Sequence, residues 1–244
     1  MKSEMRPTVV PEDEFNCFVR HLVSLRTLMD DPQQAGPLLV AIAGVPGSGK
    51  STLAAQVVSH LNALTNNPRC AVNVPMDGYH LRRSELALMA NSEEAFARRG
   101  AEWTFDVAKL CRDLKAIRAL RPYTVPVQAV LCPSFDHSAK DPRDADIAVT
   151  TEHRIVVMEG NYLSFRGNPE WDEVYNQFHV HCFLLCSIDV STERLAQRHM
   201  KAWNVPHAEA MERASNSDRT NAVLVERTMQ NSHFVLKSLD VPGL

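Results

Sequence analysis

The chain of 244 residues is 45% hydrophobic, carries a formal net charge of −3 and contains six cysteines. Its length and apolar content suit one α/β domain with a sizeable core, residues 1–244, rather than a disordered or fibrous chain. The weak net charge excludes binding to nucleic acid through bulk positive charge, and no apolar run reaches the ~20 residues that span a bilayer.

Cys17, Cys70, Cys111, Cys132, Cys182 and Cys186 form no C-x-x-C pair, and most sit in apolar runs. Buried free thiols are expected, and with no secretory signal visible at Met1–Arg6 the expected compartment is the reducing cytoplasm.

Glu12 to Met29 reads as an amphipathic helix, with Phe15, Phe18, Val19, Leu22, Leu25, Leu28 and Met29 at helical spacing. Asp30-Asp31-Pro32 stops it, and Gln33 to Pro37 is a linker, so residues 1–36 form an N-terminal helix and its connection. Such a helix most often packs on a sheet; a homodimer built through it stays open. Leu38 to Ala43 is an apolar, strand-like run. It leads into Gly44-Val45-Pro46-Gly47-Ser48-Gly49-Lys50-Ser51-Thr52 and then a helical stretch from Leu53 to Leu61.

That order of strand, glycine-rich turn and helix is the context in which G-x-x-x-x-G-K-[ST] cradles phosphates. Gly44, Gly47, Ser48 and Gly49 let backbone N–H groups turn inward, and the helix N-terminus adds positive potential. Lys50 is expected to reach the β- and γ-phosphates and the Ser51 hydroxyl to ligate Mg²⁺, with Thr52 beside it.

Cys70 to Met76 reads as a second strand, ending in Asp77-Gly78-Tyr79-His80, a turn with a strained look. Ser84 to Arg99 is mixed and helical, with Ser92 as a cap and Arg98-Arg99-Gly100 as an end. Thr104 or Asp106 caps a helix whose apolar face is Val107, Leu110, Cys111, Leu114 and Ile117, ended by Arg121-Pro122. Val125 to Cys132 is strand-like but broken by Pro126, followed by Pro133-Ser134-Phe135-Asp136-His137 and a polar stretch to Asp146. Arg154 to Gly160 and His179 to Ile188 are apolar enough for strands buried on both faces. His179 and His181 lack a third clustered ligand and read as edge or core histidines. From Ser191 the chain turns helical, and a second helix runs from about Asp218 to Asn231.

Glu159 closes an apolar strand in the Walker-B manner and is the candidate second metal residue. Asp77, at another strand end, is the candidate base for an acceptor hydroxyl. Arg194, Arg198 and Lys201 fall on one helical face, which suits either charge stabilisation over phosphates or plain solvation.

The ordered set GVPGSGKST, MDGYH, PSFDH, VVMEGNY and ERLAQRHMK resembles the phosphoribulokinase/uridine kinase group of P-loop kinases, pantothenate kinase included. More narrowly it is similar to the nucleoside/nucleotide kinase family of bacteria and fungi, some called fructose-transport kinases. The resemblance covers nearly the whole chain after residue 37. It implies a three-layer α/β sandwich with a five-stranded parallel sheet, helices on both faces and a mobile helical lid around 191–216.

It also implies Mg-ATP as phosphoryl donor and a hydroxyl-bearing small molecule as acceptor: a nucleoside, a sugar or a pantothenate-like alcohol. By position, Asp77 matches the catalytic aspartate, Glu159 the acidic Walker-B residue and Arg198 a lid arginine, with Arg194 close by. Tyr79, His80, Asp136 and His137 fall where relatives contact the acceptor, and Tyr162 is placed in the same pocket. Asn221, in an Asn-Asp-x-x-Asn-Ala-like stretch, is placed either near the adenine or as a packing residue. The chain departs from uridine kinases, which carry Asp-Ser-Phe-Tyr where it has Asp-Gly-Tyr-His, and is nearer the Asp-Gly-Phe of pantothenate kinases; the acceptor stays open. The rival from another class is a P-loop ATPase with a regulatory or assembly role and no dedicated acceptor.

Overall fold

Leu38–Ala43 becomes the middle strand of the molecule in the computed structural model, which describes residues 8–29, 35–122, 126–136 and 138–239. The elements run α1 (Glu12–Leu28), β1 (Leu38–Ala43), α2 (Lys50–Leu64), β2 (Ala71–Pro75), α3 (Arg83–Ala87), α4 (Ser92–Ala97) and α5 (Val107–Ala119). They continue with β3 (Ala129–Asp136), β4 (Asp141–Thr150), β5 (Ile155–Glu159), α6 (Pro169–Tyr175), β6 (Val180–Leu185), α7 (Ile188–Trp203), α8 (His207–Arg213), α9 (Arg219–Glu226) and β7 (Phe234–Lys237).

Five strands form one parallel sheet in the order β2-β5-β1-β6-β7. Because successive strand side chains point to opposite faces, β1 feeds two cores. Leu38, Val40 and Ile42 pack with Phe15, Phe18 and Leu22 of α1 and Leu53, Val57 and Leu61 of α2. Leu39, Ala41 and Ala43 pack with Leu110 and Leu114 of α5, Trp171 of α6 and Val225 of α9. The expected three-layer α/β sandwich is therefore present, with helices on both faces. α1 lies on the sheet, as its apolar spacing foretold.

Asp106 caps α5, its side chain accepting from the Lys109 N–H, and all five expected apolar residues of that helix are buried. Three elements depart from the sequence reading. The polar stretch after Phe135 is the second arm of an antiparallel hairpin, β3–β4, standing apart from the main sheet. The short helix expected within Ser84–Arg99 is present as α4, but Asn91 rather than Ser92 stands at its cap position. A short strand, β7, extends the sheet beside β6, so β6 is internal. The expected helix stop at Asp30-Asp31-Pro32, Gln33 and Gln34 of the following linker, and Val125 of the third expected strand lie outside the described residues.

His179 and His181 are structural, as read. The Leu39 N–H donates to His179 Nδ1, and His181 is stacked on Tyr175 with ring centroids 3.9 Å apart. Among the described residues all six cysteines are free; Cys17 is exposed and the other five are buried. No helix of the described residues is long and apolar enough to cross a membrane.

Candidate active site

In a parallel sheet, ligands gather beyond the carboxyl ends of the strands. β1, β2 and β5 are neighbours in register, with Ile42 opposite Glu159 and Glu159 opposite Pro75. That register brings three chain segments to one place: the glycine loop after β1, Asp77 after β2, and Glu159 ending β5. They line a cavity of about 380 Å³. The fourth wall is α7, which contributes Arg194, Arg198 and Lys201. The expectation that these three share a helical face is met, and the face looks onto the phosphate loop.

Lys50 and Ser51 begin α2. The Lys50 Nζ donates to the Val45 carbonyl oxygen at 3.0 Å, and the Ser51 hydroxyl donates to Glu159 Oε1 at 3.0 Å. Burial lowers the Lys50 pKa, opposed by Glu159 and Asp77. Burial raises the Glu159 pKa, opposed chiefly by Lys50. The ammonium and the carboxylate are thus held together in a site that disfavours either alone.

Gly47 sits at φ +79°, a left-handed conformation, and a Cβ there would lie 2.4 Å from the Ser191 carbonyl oxygen of α7. The loop and α7 approach so closely that only glycine fits. Gly44 also has positive φ, and Ser48 is fully buried. The two arginines differ. Arg194 is fastened, donating to the Ser48, Ser238 and Leu239 oxygens. Arg198 has no hydrogen bond or ion pair among the described residues and lines the cavity.

Asp77 lies in a turn of 3-10 helix, Met76–Tyr79, with its side chain 43% exposed. The turn is not strained in the way its Asp-Gly pair suggested. Gly78 is absent from the positive-φ residues; it is needed because a Cβ would meet the Pro133 carbonyl oxygen of β3 at 2.4 Å. His80 follows, its Nδ1 2.8 Å from the Asp77 carbonyl oxygen, which can only accept, so Nδ1 carries the proton. The His80 ring packs between Phe105 and Phe135.

Other residues expected around the acceptor sit elsewhere. Tyr79 is buried and its hydroxyl donates to Asp113; Tyr162 is fully buried and donates to the Gly100 carbonyl oxygen. Both aromatic bodies belong to the α5-side core, and burial raises both phenol pKa values. Asp136 closes the hairpin turn, accepting from the Ser138 hydroxyl and the Ser138 and Ala139 N–H groups, which hold its pKa down to about 2. Asn221 does not line the phosphate cavity: it is buried and its Oδ1 accepts from Arg98 Nη2 at 3.3 Å. His137 lies outside the described residues. Sequence reasoning passed over Asn161 and Gln197, which line the cavity as neighbours of motif residues.

Residues fit for Mg²⁺ are present. The Ser51 hydroxyl and Glu159 carboxylate already touch, and Asp77 faces the same cavity. Among the described residues no group of three or more His, Cys, Asp or Glu is arranged to hold a metal. A hydroxyl, a carboxylate, water and substrate phosphates form the donor set Mg²⁺ commonly takes.

No family model matches the chain. A Schizosaccharomyces pombe protein named as a candidate uridine kinase is 36% identical over 203 residues, 83% of each chain. The chain belongs to the uridine kinase-like P-loop kinases. The ATP-dependent kinase YFH7 of Lachancea thermotolerans is 29% identical over 227 residues; the match takes in 80% of this chain and 64% of that protein's length. A solved structure described as a candidate fructose transport system kinase, from Silicibacter sp. TM1040, superposes with a TM-score of 0.75 at 30% identity, covering 91% of this chain and 98% of that one. Kinase relatives of this kind imply ATP use and a small-molecule substrate for this uridine kinase-like chain.

Proposed function

We propose that this kinase transfers the γ-phosphoryl group of ATP to a hydroxyl of a small-molecule acceptor. The observation that carries the reading is the convergence of Lys50, Ser51, Asp77, Glu159 and Arg198 on one cavity from four separate elements. A pure nucleotide switch has no need of Asp77, a half-exposed carboxylate opposite the phosphate loop.

Backbone N–H groups of residues 44–52 bind the triphosphate, and Lys50 leaves the Val45 carbonyl for the β- and γ-phosphates. Ser51 and Glu159 would hold Mg²⁺, which would supply charge neutralisation to the phosphates. Asp77 orients the acceptor hydroxyl and takes its proton. The acceptor oxygen bonds to the γ-phosphorus, the bridging bond to the β-phosphate breaks, and ADP leaves with that electron pair. Arg198, which has no hydrogen bond or ion pair among the described residues, stabilises charge on the transferring group.

Helices α7 and α8 act as the lid, joined by their own small core of Leu195, Ala196, Ala210 and Ala214. Closure of this unit excludes water and suppresses hydrolysis. The test is ATP consumption measured with nucleosides, sugars and vitamin precursors. Strong stimulation by one compound supports the kinase reading; slow turnover indifferent to all of them overturns it in favour of a regulatory ATPase.

A further inference from the structure

A second, larger cavity of about 950 Å³ lies between α4, the hairpin turn and α8. Its charges are segregated. Arg83, Arg98, Arg99 and Lys140 line the wall on the body of the protein, while Glu209, Glu212 and Asp218 line the wall on the lid side. The cationic wall connects to the reaction centre through packed rings. The Arg99 guanidinium stands 5.9 Å from the Phe135 ring, Phe135 packs on His80 at 5.0 Å, and His80 is bonded to the Asp77 carbonyl. On the other side α7 adjoins both: Arg198 lines the phosphate cavity, and the next residue, His199, lies 3.9 Å from Asp218 of the second.

The arginines are not equivalent. Arg99 is neutralised by Asp141 at 2.9 Å. Arg83 and Arg98 have no ion pair among the described residues. Arg98 makes one long bond to Asn221, and its Nε is buried without a hydrogen-bond partner among the described residues. Arg83 only stands over the Phe96 ring, at 5.8 Å. The buried Arg98 Nε is costly to leave without a partner, and the planar forks of donors on Arg98 and the exposed Arg83 match a carboxylate or phosphate.

We infer that the phosphoryl acceptor bears an anionic group, a carboxylate or a phosphate ester, and that Arg98 and Arg83 bind it in this cavity. The inference rests on the kinase reading and narrows it to hydroxy acids or sugar phosphates. A neutral nucleoside would offer these two guanidinium groups no opposite charge. The acids on the opposite wall suit the acceptor's remaining hydroxyls, which can donate to them, and repel an anion bound the wrong way round.

The experiment uses matched pairs: glycerol and glycerate, ribose and ribose 5-phosphate, uridine and uridine 5′-monophosphate. Each is titrated into the full chain, with Mg-ATP for turnover and with a non-hydrolysable ATP analogue for binding. An anionic member is expected to bind at least about tenfold more tightly than its neutral partner, as loss or gain of charge-assisted hydrogen bonds dictates. Glycerate against the phosphate esters tells a carboxylate site from a phosphate site. Arg98→Gln should raise KM for that member roughly ten- to a hundredfold, with kcat changed less than about threefold and affinity for the ATP analogue kept. Arg83→Gln, at an exposed position, repeats the test should melting show that loss of the Asn221 bond unfolds the first variant. Failure of every anionic member to bind, a neutral partner that binds as tightly, or an unmoved KM in a folded variant overturns the inference. A neutral compound alone driving turnover overturns it while sparing the kinase reading. Arginine-dependent anion binding without any turnover spares the inference and overturns the kinase reading.

Discussion

The Ser51 hydroxyl donates to Glu159 Oε1 across 3.0 Å, tying the first turn of α2 to the end of β5. Two residues more than a hundred positions apart thus share one point beside the buried Lys50. If they serve one ion, Ser51→Ala and Glu159→Gln should each lower kcat by about a hundredfold and raise the Mg²⁺ concentration needed for half activity. The double variant should fall well short of the product of the two, since neighbours acting as a unit are not additive. Multiplicative losses would separate their roles.

Gly47 and Ser191 define the seam between phosphate loop and α7. Gly47→Ala places a Cβ 2.4 Å from a backbone oxygen at φ +79°. A destabilisation of about 1–3 kcal/mol is expected, with loss of ATP-analogue affinity larger than the stability change alone would give. Melting and titration calorimetry check it; wild-type values for both would show that the loop and α7 move apart freely.

His181 makes stability pH-dependent. Burial holds its folded pKa at about 4, whereas the unfolded value is near 6.5. Between those values the unfolded chain binds more protons, so stability is full above pH 6.5 and is lost as pH falls towards 4. The loss from pH 7.5 to 5 is about 2 kcal/mol for this residue. His179, held at about 4 by the same cause but less enclosed, adds a smaller share. Glu159, raised by burial, acts in the opposite sense. The isolating measurement is the urea midpoint against pH in the wild type and in His181→Phe, which keeps an aromatic ring against Tyr175. The variant should show a shallower slope between pH 6.5 and 5; equal slopes would remove His181 as the cause.

What the sequence disclosed followed from how strongly each signal was encoded. β1, β5 and β6 are apolar throughout because both faces are covered, and such runs stand out. The phosphate loop is carried by residue types that nothing else requires. By contrast β4, Asp141–Thr150, is half polar because the hairpin stands off the main sheet and exposes most of one arm, so no alternation marked it. Tyr79 and Tyr162 depart from the expectation because motif position fixes the backbone and not the side chain: they lie two and three residues past Asp77 and Glu159, yet turn into the core. Arg98 and Arg99 were legible only as a helix end. Their other role depends on the hairpin turn and α8, which reach them from 40 and more residues away.

The most direct measurement is Asp77→Asn assayed for acceptor-stimulated turnover and, separately, for ATP-analogue affinity. The account predicts a turnover loss of a hundredfold or more, as for removal of a general base, with affinity for the analogue nearly intact. Undiminished acceptor-stimulated turnover in a folded Asp77→Asn chain would contradict it.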